Sequence, residues 1–203
     1  MKGFLVVCAM GMEAEAIPAG YRVVKTGPGF RAARQAVEAA IAEERPEWVI
    51  SAGTCGALDP GLRLGEVRVV TKVDSPLGVF DAPGSGATVL RSQDRVAVTA
   101  VEKRGLFEAG SQIVDMEAAA VVEVCQKHRL RYGIVKAVSD LAEEDLPLDF
   151  NLYRDEAGNF QKSRIAIAGM MKIADLMRLQ KQAKLAAQQL GETFDVSIAD
   201  ITR

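Results

Sequence analysis

Phe4-Leu-Val-Val-Cys-Ala9 and the Met10-Gly-Met-Glu-Ala-Glu15 that follows it set the terms of the fold. The first six residues are an unbroken apolar run of strand length, the pattern of a strand covered on both faces in a helix-layered sheet. Similar runs recur at Tyr21 to Lys25, Trp48 to Ala52, Val67 to Val73, Arg95 to Thr99 and Tyr132 to Val138. Helical patterns lie between them. Arg31 to Glu44 puts Ala33, Val37, Ala40 and Ile41 on one face before Pro46 stops it, and Glu117 to His128 spaces Ala118, Val121, Val122 and Cys125 helically. The alternation predicts an α/β fold with a mostly parallel sheet covered on both faces.

With 203 residues the chain is the length of one domain, 1–203, large enough for a proper core. Two stretches break the rhythm. Asp74 to Thr88, with Pro76, Gly78, Pro83, Gly84 and Gly86, reads as a long surface loop with one short strand, and Leu146 to Asn159 reads as irregular. A last helix is expected from about Lys162 to Leu190, packing on the sheet and then running into solvent or a partner. A polar tail carrying Phe194, Val196, Ile198 and Ile201 would follow it.

Composition removes several functions. Twenty-seven acidic against 25 basic residues give a net charge of -2, so nothing draws the chain to nucleic acid. No run approaches the roughly 20 apolar residues of a membrane span. Phe4 to Met10 is too short for a secretory signal, with Glu13 and Glu15 directly behind it. Cys8, Cys55 and Cys125 are odd in number and lie in apolar or glycine-rich surroundings, which argues for no disulfide framework and a cytoplasmic setting. His128 is the one histidine and no cysteines are close in sequence, so a metal site lacks ligands.

Four segments fall at strand ends, where α/β folds place ligands. Met10-Gly-Met-Glu-Ala-Glu15 reads either as a functional carboxylate segment or as the acidic first turn of a helix. Thr26-Gly-Pro-Gly-Phe-Arg31 is a glycine turn whose amides can face an anion or a sugar hydroxyl. It is not a dinucleotide fingerprint, because the next strand ends Ile50-Ser-Ala-Gly53 without the acidic residue that holds a ribose diol. Ser51-Ala-Gly-Thr-Cys-Gly-Ala57 lets backbone approach a ligand, or is a tight turn with none. Val114-Asp-Met-Glu-Ala118 and Lys136-Ala-Val-Ser-Asp140 would bring Glu117 and Asp140 to one crevice.

In this order the segments, with Leu62-Arg-Leu-Gly-Glu-Val67 after the glycine stretch, resemble the purine nucleoside phosphorylase and methylthioadenosine/adenosylhomocysteine nucleosidase superfamily over roughly Phe4 to Ala142. The resemblance implies a shortened nucleoside phosphorylase-like fold, three layers α/β/α around a mixed, mostly parallel sheet. It also implies an enzyme that cleaves a purine N-glycosidic bond. Asp140 would be the general acid at purine N7 and Glu13 the carboxylate that orients and deprotonates water, with Glu15 as the fallback. Glu117 would hold the ribose hydroxyls and Met116 would pack on the sugar. Ser139 and the backbone of Val96 and Ala97 would edge the base, and Thr54, Gly29 and Lys136 would serve the nucleophile or an anion.

Two family arginines are absent, with Ser51 and Lys136 in their places, and Glu13 would repel a phosphate dianion at the same spot, so water is favoured over phosphate as nucleophile. A phosphorylase using phosphate near Arg31 or Arg91 is the alternative, and a non-catalytic nucleoside-binding member the second. No cofactor is implied beyond phosphate as co-substrate of a phosphorylase. The missing hairpin between Ile17 and Tyr21, the abbreviated Asp74 to Leu90 and the Leu146-Pro147 after Ser-Asp look like the hopanoid-associated phosphorylase subgroup. Members of that subgroup are thought to remove adenine from adenosylhopane, which needs an open, apolar 5′ side; methylthioadenosine-like or ordinary purine nucleosides are the other candidates. The family also implies a homo-oligomer, a dimer favoured, with a small-molecule nucleoside as its partner.

Overall fold

The structure, a computed structural model, describes residues 3–155 and 160–203. The first half of the chain runs β1 (Phe4–Cys8), α1 (Gly11–Ala16), β2 (Arg22–Lys25), α2 (Phe30–Glu43), β3 (Trp48–Ala57), β4 (Val67–Val69), β5 (Lys72–Ser75), β6 (Gly78–Asp81) and β7 (Val89–Ser92). The second half runs α3 (Ala100–Glu108), β8 (Ile113–Asp115), α4 (Ala118–Lys127), β9 (Arg131–Asp140), α5 (Lys162–Ala168) and α6 (Ile173–Ile201). Short 3-10 turns lie at Phe150–Tyr153 and Met170–Lys172.

The long β3 is the hub of the sheet. It lies parallel to β1 on one side and to β9 on the other, β1 carries β2, and β9 carries the antiparallel β4. At its C-terminal end Gly56 and Ala57 pair antiparallel with β8, which opens a second arm ordered β8, β7, β5, β6. The sheet is therefore mixed and mostly parallel. Residues alternate across it: Leu5, Val7 and Val49 pack with α2 and α4, while Val6, Cys8, Ile50 and Ala52 pack with Leu190, Phe194, Ile198 and Ile201 of α6. Two buried faces explain why these strands are apolar throughout rather than alternating.

Several expectations need correction. Arg95 to Thr99 is not a strand; the sheet takes Val89–Ser92 instead, and Thr99 caps α3 by accepting from the Glu102 amide. Val67 to Val73 is two strands, broken at Val70 and Thr71. The loop from Asp74 holds the expected short strand as β6, paired in a hairpin with β5. In Leu146 to Asn159 the 3-10 turn at Phe150–Tyr153 stands, and 156–159 lie outside the described residues.

The C-terminal reading is reversed. The single helix expected from Lys162 is split by the 3-10 turn at Met170–Lys172, its second part continues to Ile201, and it is the tail that enters the core: Phe194, Ile198 and Ile201 are buried, whereas Ile173 and Met177 near the start are exposed. The physical reason is a stripe at Leu190, Phe194, Ile198 and Ile201, three to four residues apart and hidden among polar neighbours. Each large side chain so buried stabilises the fold by about 1.5–3 kcal/mol.

Candidate active site

A cavity of about 450 Å³ opens beyond the C-terminal ends of the central strands. Its inner wall carries Glu13, Thr54, Met116, Glu117, Ser139 and Asp140, and its outer wall is apolar, from Leu146, Phe150, Phe160, Ile165, Leu176 and Leu179. The resemblance-based residues thus come from α1, β3, the β8–α4 junction and the end of β9.

Glu13 is buried on α1. Its Oε2 accepts from the Met10 amide at 2.8 Å, and its Oε1 accepts from both the amide and the hydroxyl of Thr54, each at 2.8 Å. Gly53 makes room: a Cβ there would lie 3.0 Å from Glu13 Oε1. Glu15, the fallback, is exposed on the outer side of the same helix.

Asp140 is buried at the other end of the glycine stretch, where a Cβ on Gly56 would lie 3.0 Å from its Oδ2. The pairing with β9 slips between Cys55 and Gly56, with Ser139 the extra residue on β9, so that Asp140 rather than Ser139 stands opposite Gly56. Ser139 Oγ stands 3.0 Å from Asp140 Oδ1 and 3.1 Å from the Cys55 carbonyl, with a single proton to donate to either.

Lys103 was not among the sequence candidates. Its side chain is wholly buried, and its Nζ donates to Asp140 Oδ2 at 2.5 Å and to the carbonyls of Leu141 and Glu144 at 2.8 and 3.0 Å. Burial pushes the Asp140 carboxyl up from its usual range, outweighing the pull of the Lys103 ammonium. No sequence signal marked it, because α3 is a short helix in which Lys103 stands between Glu102 and Arg104 and so reads as solvated.

Glu117 accepts from the Gly29 amide at 2.8 Å, so that amide is engaged by a carboxylate of the site. Burial, then the charge of Asp115, raises Glu117 to about 8 against the Lys136 ammonium and the Gly29 amide. Asp115 Oδ2 takes Lys136 Nζ at 2.8 Å and the Ala118 amide at 3.0 Å, while its buried Oδ1 has no partner among the described residues. Burial alone would lower Lys136; Asp115 and Glu117 hold it above its usual value. Lys136 lies behind the cavity wall, committed to Asp115.

Val96 and Ala97 both line the cavity. The Asn151 carboxamide clamps Val96, accepting its N–H at 2.8 Å and donating to its carbonyl at 3.0 Å, which fixes the segment from the 3-10 turn. Arg91 is paired with Asp74 at 2.7 Å, and Arg31 is exposed on α2; neither lines the cavity. His128 is paired with Glu38 at 2.7 Å, away from the site.

Fold and site together define an α/β protein with separate buried carboxylates at the strand ends of an apolar cavity. The family model of the phosphorylase superfamily matches residues 20–93 and 84–172, and the chain belongs to that superfamily. It is 25% identical to the 5′-methylthioadenosine/S-adenosylhomocysteine nucleosidase of Glaesserella parasuis serovar 5 (strain SH0165), over 75% of this chain and 81% of the relative. It is 28% identical to the nucleosidase of the same name from Marinomonas sp. (strain MWYL1), over 74% and 80%. A crystal structure of the Helicobacter pylori enzyme of that name, complexed with a substituted pyrrolidin-3-ol, superposes with TM-score 0.72 at 16% identity over 98% of each chain, which shows the shared fold.

Proposed function

We propose that this protein hydrolyses the N-glycosidic bond of a purine nucleoside and releases the base, adenine by preference, with residues 1–203 acting as one nucleosidase-like domain. The C1′–N9 bond breaks with its electron pair passing to the purine, which Asp140 protonates at N7. Water attacks C1′ and gives its proton to Glu13. Glu117 holds the ribose hydroxyls, Met116 packs on the sugar, and Ser139 with the Val96–Ala97 segment edges the base. Acid, base and water balance the reaction with no further group.

The observation that carries this reading is the placement of two buried carboxylates with different surroundings at Gly53 and Gly56. Carboxylates of one cavity, seated against two separate glycines, suit an acid and a base with a substrate and a water between them, the division of labour of inverting glycoside hydrolysis. The names of the relatives support the same class. Water is favoured over phosphate because Lys136 is spent on Asp115, Arg91 on Asp74, and Glu13 would repel a dianion beside it.

The outer wall of Leu146, Phe150, Phe160, Ile165, Leu176 and Leu179 offers hydrocarbon where the 5′ substituent would lie. It favours an apolar 5′ group, with a methylthio group as the small case and an adenosylhopane-like chain as the extended one. The test is adenine release from methylthioadenosine and from a long-chain 5′-alkyl adenosine, each with and without phosphate. Release without phosphate, better for the long chain, supports the proposal; strict phosphate dependence overturns the choice of water. Absence of release from either compound favours a nucleoside-binding role.

A further inference from the structure

Eleven large apolar side chains stand exposed among the described residues, and five of them, Ile167, Met170, Met171, Ile173 and Met177, fall between positions 167 and 177. Met171 is 98% exposed. They occupy the corner where α5 ends, the 3-10 turn at Met170–Lys172 follows and α6 begins. Leu176 packs so closely on Gly169 that a Cβ there would overlap its Cδ1, so the corner is a built shape. Apolar clusters of this kind on soluble folds mark interaction sites.

The charge along the cluster's own two helices is one-sided, although Glu144 meets Gln182 of α6 and Lys172 donates to the Pro147 carbonyl, which brings the acidic 143–149 segment alongside. Residues 162–184 carry Lys162, Arg164, Lys172, Arg178, Lys181 and Lys184 against Asp175 alone, in a chain of net charge -2. Arg164, Lys181 and Lys184 are exposed, and Arg178 meets Asp175 at 3.5 Å. We infer that this corner docks on a membrane surface containing anionic phospholipid, with the Met and Ile side chains entering the headgroup boundary and the cations meeting the lipid phosphates. A second copy packed by twofold symmetry on the same face would set cations against cations. No helix among the described residues is long and apolar enough to cross a membrane, so the contact is peripheral.

The inner sides of the same two helices carry Ile165, Leu176 and Leu179 to the cavity wall. One face therefore meets the bilayer while the other lines the route to the carboxylates, which lets an apolar 5′ substituent leave lipid without crossing water. The docking claim stands on the surface alone and does not depend on the reaction proposed above.

The test is co-sedimentation of the full chain with vesicles of phosphatidylcholine, with and without phosphatidylserine. The expected result is pelleting with the phosphatidylserine vesicles that weakens as salt is added. Ile167→Glu with Met171→Glu, and Lys181→Glu with Lys184→Glu, should each weaken binding by about tenfold or more while circular dichroism stays unchanged. Lack of pelleting at low salt, or pelleting that both double variants leave intact, overturns the inference. So does a dimer that Ile167→Glu with Met171→Glu makes monomeric while vesicles bind nothing, which assigns the face to a second copy.

Discussion

Lys103 Nζ lies 2.5 Å from Asp140 Oδ2, and the lysine side chain has no exposure to solvent. A buried ammonium beside a buried carboxyl does two things at once. It fixes the orientation of the carboxyl, and it limits how far burial can raise it.

Replacing Lys103 with Met should therefore raise Asp140 further and slow turnover, because the acid is less well aimed and parts with its proton less readily. Activity needs protonated Asp140 and falls as pH rises through its ionisation, so this alkaline limb should move to higher pH in Lys103→Met. The folded state should lose about 1–3 kcal/mol, since the Leu141 and Glu144 carbonyls lose their donor. Asp140 is raised on folding, so its contribution to stability is full below its unfolded value and is lost as pH rises through the folded one. Lys103→Met with Asp140→Asn should recover much of the stability and none of the activity. pH–rate profiles and urea midpoints check this, and an unmoved limb counts against the pairing.

Glu117, raised to about 8, gives a second pH signature. Its grip on ribose hydroxyls needs the anion, so kcat/KM for ribosyl substrates should climb as pH rises towards about 8, and Glu117→Gln should flatten that climb. The stability that depends on protonated Glu117 is present below its unfolded value and lost as pH rises through about 8. Glu117→Gln should then melt higher than the parent above that pH, each kcal/mol appearing as about 2–4 °C. Matching melting curves at pH 6 and pH 9 for both proteins, within error, would refute the link.

Thr54 holds Glu13 with both its amide and its hydroxyl. Thr54→Val removes only the hydroxyl bond, and a hydrogen bond to a charged group is worth about 1.5–3 kcal/mol. A fall in kcat of about tenfold or more is expected with little change in KM. If Thr54 instead bound substrate directly, KM would carry the effect.

Gly53→Ala forces a Cβ to within 3.0 Å of the Glu13 carboxylate, between β3 and α1. Displacing that carboxylate should cost most of the turnover and about 1–3 kcal/mol of stability from overpacking. Gly86→Ala makes a control for adding a methyl, since nothing lies within 4 Å of its Cβ position, although its positive φ adds backbone strain of its own. Equal activity of Gly53→Ala and the parent protein would remove Glu13 from the reaction.

The 5′ wall is open to a specificity test. Phe150→Ser should raise KM for long 5′-alkyl adenosines by about tenfold, the loss of one large apolar contact, and leave adenosine itself nearly unchanged. A uniform change for both would place Phe150 elsewhere than at the 5′ group.

The strands and their two buried faces could be read from the apolar runs, because a strand covered on both sides has no polar alternation to confuse. What escaped was short or polar. β7 is four residues long, and α3 presents Glu102, Lys103 and Arg104 in succession, so the segment behind Lys103 carried no apolar stripe. The Gly53 and Gly56 segment was legible as a close approach of backbone, but which side chains would approach it depended on strands far apart in sequence. Lys136 was legible as a cation at a strand end; its partner Asp115 sat in the quoted Val114-Asp-Met-Glu stretch, yet their pairing depends on the antiparallel return of β8, which sequence spacing does not reveal.

The central claim is that water attacks C1′ under Glu13 while Asp140 protonates the departing base. It is tested most directly by running the reaction on a 5′-alkylthio adenosine in oxygen-18 water with phosphate present, and weighing the sugar product. The account requires the heavy oxygen at C1 of a free sugar, with label and adenine both lost in Asp140→Asn and Glu13→Gln. A sugar 1-phosphate without label would contradict it.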